Sequence, residues 1–445
     1  MNILFVSLGC DKNLVDSEVM LNLLKTEGYD ITNDEQEADA AVVNTCCFIH
    51  DAKEESIHTI LELAQLKKTA RLKALIVTGC LAQRYQKEIR EEIPEVDAIM
   101  GSTNIDDIVQ VVKEAAEGQK IVCCKDVQYL PKHMTDRLVT TGTAMAYLKI
   151  AEGCNKRCTY CIIPYLRGNY RSIPMEEVLE TAQKLVEKGY QELVLVAQET
   201  TVYGQDLYGE KRLPKLLQEL NKLEGLKWIR LLYCYPEEIT DELIQVMAES
   251  SKVCHYIDMP IQHSEDRILR AMGRRTNQQQ IRTVVGKLRE AMPDIVIRTT
   301  LITGFPGEMQ DEHEALMAFV DEMEFERLGV FTYSPEEGTK AADYPDQIDE
   351  EVKKQRQEEI MLLQQEISYD NNEQMVGREL EVLIEGYLYE DDVYIGRSYR
   401  EAPNVDGYIF VSAEEELISG DMVQVRITEA NEYDLIGEVI YEFTE

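Results

Sequence analysis

Short β-rich runs alternate with helix-length amphipathic stretches along the first 340 residues of this chain. ILFVS (3–7), AAVVNTC (40–46), ALIVTGC (74–80) and DAIMG (97–101) are the first four runs. Between and after them the apolar spacing predicts helices over 16–27, 52–68, 82–92 and 105–117. Strands that alternate with helices imply a parallel sheet covered on both faces. The predicted class is therefore α/β, with a doubly wound parallel sheet in a first domain, 1–125. Asp16, followed by Val19, Met20, Leu23 and Leu24, reads as the cap of an amphipathic helix.

A second series follows over 140–340: AYLKIAEGC (146–154), ELVLVAQET (192–200), WIRLLYCYP (228–236), YIDMPIQH (256–263), VIRTTLITGFPGE (296–308) and LGVFTYSP (328–335). Predicted helices at 175–188, 213–223, 237–250, 264–272, 277–291 and 309–324 complete six βα units. That count fits a partial or complete βα barrel, in which the loops after the strands build the active site. Residues 341–375 read as a connecting helix with Ile360, Leu363 and Ile367 on one side. Residues 376–445 alternate apolar and polar positions between Gly turns, which predicts a small antiparallel β-barrel.

Across its 445 residues, 46 Lys and Arg face 83 Asp and Glu, a net charge of −37. A protein that grips phosphate backbones over a wide face is usually basic, so such a role is disfavoured. A basic protein partner suits this field better. No apolar run reaches the roughly 18–20 residues that span a bilayer. The opening MNILFVSLGCDKN lacks a basic region and a cleavage site, so a cytoplasmic location with reduced thiols is expected.

The eleven cysteines divide by context. Cys10, Cys46 and Cys80 each follow a predicted strand, at the sheet edge where ligands bind in open α/β folds. They are either three ligands of one cluster or three unrelated buried thiols. Cys154, Cys158 and Cys161 form C-x3-C-x2-C in one loop. Zinc would need a fourth ligand, whereas a cubane takes one thiolate per iron and leaves its fourth iron open. A three-thiolate zinc site or plain surface thiols are the alternatives. Lys156, Arg157, Arg167 and Arg171 would help offset the charge of this loop. Cys123 and Cys124 read as incidental, and Cys234 and Cys254 as core. His263, alone at a strand end, reads as a structural residue or as a substrate or proton partner.

These motifs resemble the radical S-adenosylmethionine (SAM) methylthiotransferase family. SLGCDKNLVDSE (7–18), VVNTCCF (42–48), VTGCLAQRY (77–85), AEGCNKRCTYCIIPYLRG (151–168), TGFPGE (303–308) and the β-rich tail carry the likeness, in the same order over nearly the whole chain. The resemblance implies a cluster domain, a radical-SAM barrel and a small TRAM barrel, which is OB-like. It implies two 4Fe-4S clusters, one held by Cys154, Cys158 and Cys161 with SAM, the other by Cys10, Cys46 and Cys80. Cys46 rather than Cys47 matches the ligand position. SAM is then cleaved to a 5′-deoxyadenosyl radical, and sulfur and methyl are delivered to the carbon that the radical opens. An unactivated C–H bond offers no acidic proton, so such chemistry belongs to the cofactors. For SAM itself, Gln198 and Glu199 are candidates on the amino and ribose side, and Arg298 and Thr300 for the carboxylate. The main chain at Tyr160 is a candidate for the adenine, and Gly304, Pro306 and Gly307 for a nearby turn.

Two substrates compete within the family: a modified adenosine in transfer RNA, and the β-carbon of an aspartate in a small-subunit ribosomal protein (S twelve) at the decoding centre. GCDKN at 9–13 and PIQH at 260–263 resemble the ribosomal-protein enzymes. Residues 376–445 hold four Arg, no Lys and 18 Asp or Glu, a net charge of −14, which suits a basic ribosomal protein and not RNA. Solubility is the plainer purpose of that acidity. A flavodoxin or ferredoxin is the expected reductant. A non-catalytic iron–sulfur carrier is the alternative from another class, but it would need neither a barrel nor a third domain.

Overall fold

The computed structural model describes residues 1–131, 136–142 and 144–441. The first sheet contains β1 (Asn2–Ser7), β2 (Asp30–Thr32), β3 (Ala40–Thr45), β4 (Ala74–Gly79), β5 (Ala98–Met100) and β6 (Ile121–Cys123). Their spatial order is β2-β1-β3-β4-β5-β6, and every pairing is parallel. Helices α1 (Asp11–Thr26), α2 (His50–Thr69), α3 (Cys80–Arg84), α4 (Gln86–Glu92) and α5 (Ile108–Ala116) connect them. β3 and β4 are buried along their whole length, as fully covered parallel strands must be.

Four local expectations change. The first helix begins at Asp11 with Cys10 at its N-cap, so Asp16 lies inside it and caps nothing. The helix predicted over 82–92 breaks at Tyr85, where the backbone leaves the helical region. The helix from 105 opens with a 3-10 turn over Ile105–Asp107. β2 and β6 were not anticipated, because three residues are too few to show an alternation.

The second sheet is built from β7 (Met145–Lys149), then, after the short hairpin of β8 (Ala151–Glu152) and β9 (Arg171–Ser172), from β10 (Glu192–Val196), β11 (Trp228–Leu231), β12 (Val253–Asp258), β13 (Val296–Thr303) and β14 (Arg327–Thr332). Its order is β14-β13-β12-β11-β10-β7, all parallel and open at both ends, so the barrel is partial. The helices are α6 (Ile163–Arg167), α7 (Met175–Glu187), α8 (Gln205–Tyr208), α9 (Leu213–Leu220), α10 (Asp241–Glu249), α11 (Asp266–Ala271), α12 (Gln278–Ala291) and α13 (Gln310–Met323). The connector forms α14 (Glu350–Glu373), which packs on β14 through Ile360, Ile367 and the half-buried Leu363.

The last sheet closes into a barrel, β15 (Glu379–Leu388), β16 (Val393–Arg397), β17 (Ile409–Ser412), β19 (Leu435–Val439) and β18 (Met422–Ala430). All of its pairings are antiparallel except β17 with β19, the mixed pattern of an OB-like Greek key.

Alternation along the barrel strands sorts their side chains. Leu148, Leu193, Leu195, Ile229 and Ile257 join the outer helices. Tyr147, Val194, Val196, Trp228 and Tyr256 face the other way and share a core with Val15, Val19 and Met20 of α1 and with Leu383 and Ala402 of the last domain. The inner face of the open barrel is thus covered by both neighbours. A buried ionic set reinforces this: Glu192 pairs with Arg230 at 2.7 Å and with Arg397 at 2.7 Å, all three fully buried. No helix of the described residues is long and apolar enough to cross a membrane.

Candidate functional site

β1, β3 and β4 are neighbours, and their parallel register ends them level: Ser7 lies opposite Asn44, and Thr45 opposite Gly79. The next residues down each strand therefore arrive together. Cys46 and Cys80 follow their strands directly, and Cys10 follows β1 after a short loop. That loop approaches Cys46 so closely that a Cβ on Gly9, whose φ is +87°, would stand 2.6 Å from Cys46 Cβ and 2.9 Å from its Sγ. Ser56 on α2 clamps Cys46 from both sides, accepting from its N–H at 3.1 Å and donating to its carbonyl at 2.9 Å. Burial, then the nearby Cys80, push the Cys46 thiol up to about 12, with Cys10 adding to the effect. Cys47 is fully buried among the side chains of Leu63, Leu75 and Ile89. Burial and Cys80 push its thiol up as well, but Cys10 is not among its electrostatic neighbours and Arg84 is.

The loop 153–161 follows β8. Gly153 N–H donates to Gln198 Oε1 at 2.7 Å, Cys154 N–H to the Gly168 carbonyl at 3.1 Å, and Thr159 N–H to the Met272 carbonyl at 2.9 Å. Cys154 and Cys158 are buried and Cys161 half-buried. Burial pushes the Cys154 thiol up to about 11, and burial with Cys158 and Cys154 pushes Cys161 higher still. Among the described residues no three His, Cys, Asp or Glu side chains stand together as the shell of one metal ion. Cys10 is exposed, whereas Cys46 and Cys80 in one set and Cys154 and Cys161 in the other are thiols whose ionisation is opposed first by burial and then by neighbouring groups. Iron bound to thiolates reverses that penalty, and a cubane takes one thiolate per iron. The donor chemistry fits such a group.

The two sets are joined. Arg167, on α6, donates from Nε to Cys80 Sγ at 3.3 Å, from Nη1 to Asp16 Oδ2 at 2.6 Å and to Glu152 Oε2 at 3.3 Å, and from Nη2 to Asn13 Oδ1 at 2.8 Å. Lys149 pairs with Asp16 at 2.5 Å and with Glu152. Glu152 also accepts from Gln198 Nε2 at 2.8 Å, so contacts run unbroken from Cys80 to the loop of Cys154. All four charged groups are buried. Burial opposes the charge on Glu152, yet Lys149 and Arg167 hold its carboxyl well below the ordinary value. Sequence reasoning had set Arg167 against the charge of its own loop; it serves Cys80 instead, because α6 turns it back toward the first sheet.

The remaining candidates separate. Glu199 is buried near the loop, 3.6 Å from Lys156, and accepts from Thr201 at 2.8 Å; burial pushes its carboxyl up to about 7. Tyr160 is half-buried beside Ile268, Met272 and Phe305. Arg298 pairs with Asp258 at 2.8 Å and Asp406 at 3.5 Å. Through Asp258 and Tyr233 it is linked to Asp11, on the Cys10 side. Thr300, two residues on in β13, is half-buried and its carbonyl accepts from Gln262 N–H at 2.9 Å. His263 is fully buried; its Nδ1 accepts from Glu265 N–H at 2.9 Å and its Nε2 lies 3.9 Å from Glu308. Cys234 and Cys254 are core residues, as expected.

Sequence reasoning missed Arg274 and Tyr235. Arg274 lies 4.2 Å over the Tyr235 ring, which Lys156 approaches at 4.8 Å, and both Arg274 and Tyr235 sense Cys158. Neither stands in a spaced motif. Lys149 did carry a signal, a charge inside an apolar strand.

Comparison with known proteins agrees with this architecture. Residues 2–101 match the uncharacterized protein family UPF0004, 148–320 the radical SAM superfamily and 376–440 the TRAM domain. Among solved structures, a cobalamin- and [4Fe-4S]-bound radical SAM methyltransferase from Kitasatospora setae, TsrM, superposes with a TM-score of 0.56 at 13% identity, over 76% of this chain and 73% of that one. At that identity the likeness shows the fold alone. Sequence relatives are far nearer. The ribosomal protein uS12 methylthiotransferase RimO of Lachnoclostridium phytofermentans is 60% identical, covering 98% of this chain and 99% of its own, and that of Clostridioides difficile is 50% identical, covering 98% of each. With identity of this order along all three domains, the chain belongs to the RimO family of radical-SAM methylthiotransferases.

Proposed function

We propose that this chain adds a methylthio group to the β-carbon of an aspartate in ribosomal protein uS12, using two 4Fe-4S clusters and SAM. The observation that carries the reading is the buried run of contacts from Cys80 through Arg167, Glu152 and Gln198 to the loop of Cys154. A transfer between two centres needs both at one cavity, and this network ties their supports together. When bound, these groups supply the radical that opens an unactivated C–H bond and the sulfur that fills it.

The chain's own part is to bind, orient and exclude water. Cys154, Cys158 and Cys161 hold the SAM-side cluster, and Cys10, Cys46 and Cys80 the auxiliary one. Gln198, Glu199, Arg298, Thr300 and the main chain at Tyr160 hold SAM, with Arg298 the least free because Asp258 and Asp406 already engage it. α1 and the last barrel cover the inner face of the sheet and keep it dry. We assign residues 1–125, 140–340, 341–375 and 376–445 as the working units, and the cytoplasm as their location.

The substrate surface we favour is acidic. Tyr387 packs against Tyr389 and Tyr394 at 4.9 and 4.8 Å, beside Glu390, Asp391 and Asp392. The Tyr394 hydroxyl accepts from Leu417 N–H and so joins the hairpin to the segment of Glu414, Glu415 and Glu416. Rings and carboxylates together suit Lys and Arg side chains. Reduction would come from a flavodoxin or ferredoxin.

The test is paired mass spectrometry. Anaerobically reconstituted protein with SAM and reductant is expected to methylthiolate the aspartate of a peptide copying the decoding-centre loop. Methylthiolated adenosine in transfer RNA with an unchanged peptide overturns the substrate, and zinc in place of iron overturns the chemistry.

A further inference from the structure

We propose that Arg167 is a positioning residue that raises the reduction potential of the cluster held by Cys10, Cys46 and Cys80. The proposal rests on the cluster assignment above. Its geometry is on this chain: the Nε of a fully buried guanidinium donates to Cys80 Sγ at 3.3 Å, while its remaining nitrogens are held by Asp16, Glu152 and Asn13. No other charged side chain donates to Cys10, Cys46 or Cys80 among the contacts of the described residues. The loop of Cys154 meets a different cation, Lys156, whose backbone N–H lies 3.4 Å from Cys154 Sγ and whose ammonium is spent on Glu199, Glu237 and Glu238.

A cluster gains negative charge on reduction, and hydrogen bonds to its sulfurs set its potential. A permanent cation donating to a ligand sulfur stabilises the reduced state more than the oxidised one. Asp16 and Glu152 temper that field, since two carboxylates stand on the same guanidinium. The arrangement therefore carries a sign. Removing the cation lowers the potential, and neutralising a carboxylate beside it raises it. A purely structural role for the network has no such sign, because either change loosens the same packing.

The experiment uses the full chain with Cys154, Cys158 and Cys161 all replaced by Ala, so that one cluster remains. Its midpoint is read by redox titration followed by electron paramagnetic resonance, with iron content measured in every sample. Arg167→Gln is expected to shift the ratio of reduced to oxidised cluster about tenfold toward oxidised at fixed potential, about 59 mV for one electron. Arg167→Lys is expected to fall between, and Asp16→Asn to move the midpoint the other way. Equal midpoints, or shifts of the same sign in Arg167→Gln and Asp16→Asn, overturn the proposal. So does loss of iron from both Arg167 variants while Asp16→Asn keeps it, which marks a structural role. Absence of iron from the parent protein would instead remove the cluster assignment, a result distinct from any difference among variants.

Discussion

The two cysteine sets solve one problem in opposite ways. Cys154, Cys158 and Cys161 lie within residues 154–161, so one loop brings them together at small entropic cost. Cys10, Cys46 and Cys80 come from three strands and meet only when β1, β3 and β4 pair in register. The loop set is pinned by backbone contacts to Gly168 and Met272. The sheet-edge set depends on a packed sheet, on Ser56 and on a cation from the other domain. A local site tolerates a loosened domain, whereas a site made from long-range register does not.

The largest effect should come from removing either set. Replacing Cys154, Cys158 and Cys161 by Ala is expected to cut iron from about eight to about four per chain and to abolish 5′-deoxyadenosine formation. Replacing Cys10, Cys46 and Cys80 should cut iron equally but leave SAM cleavage measurable by chromatography. Equal loss of cleavage in both would erase the functional difference between the sets.

Next is the dependence on register. Ile76 is fully buried in β4, and Ile76→Ala is expected to cost about 4 kcal/mol in denaturant unfolding. Iron should then leave the sheet-edge set before the loop set on mild chelation. Simultaneous release from both would show that they share one cooperative unit.

A smaller effect belongs to the loop side. Glu199 has its carboxyl raised by burial from 4.5 to about 7. The folded chain therefore holds a proton there that the unfolded chain has released, so this group's contribution is full below 4.5 and is lost as pH rises toward 7. Protein prepared without iron should lose about 3 kcal/mol over that window, and Glu199→Gln should lack the slope. An unchanged pH profile in the variant would assign the slope elsewhere.

The smallest is Ser56→Ala, which leaves the Cys46 backbone without its clamp. About 1–2 kcal/mol of stability is expected to go, with weaker iron retention at the sheet edge alone.

Much of the fold was legible because periodicity reports burial directly. The helices α7, α9, α10, α12 and α13 and the barrel strands lie close to where the apolar spacing set them, except that β12 begins earlier, at Val253, and ends at Asp258. Short elements without alternation, such as β2 and β6, were not legible, and neither was the break at Tyr85. In the site, the cysteines could be placed because each ends a strand or sits in a spaced triplet. The partners of Arg167, Arg274 and Arg298 could not, since a charge in a sequence does not name the opposite charge that will meet it.

Asp16 shows where the division lies. Its place in the DKNLVDSE stretch marked an amphipathic helix and a family motif. Only the packed structure turned it inward, where Lys149 and Arg167 from another domain neutralise it. The sequence by itself determined the longer elements, the placement of cysteines at strand ends and in one spaced loop, the acidic last barrel and the family, because these follow from local spacing and composition. The tertiary structure decided that the barrel stays open, that α1 and the last domain fill its inner face, and that one guanidinium serves Cys80. Those outcomes depend on which distant surfaces meet, and a buried charge persists only where its partner has been brought to it.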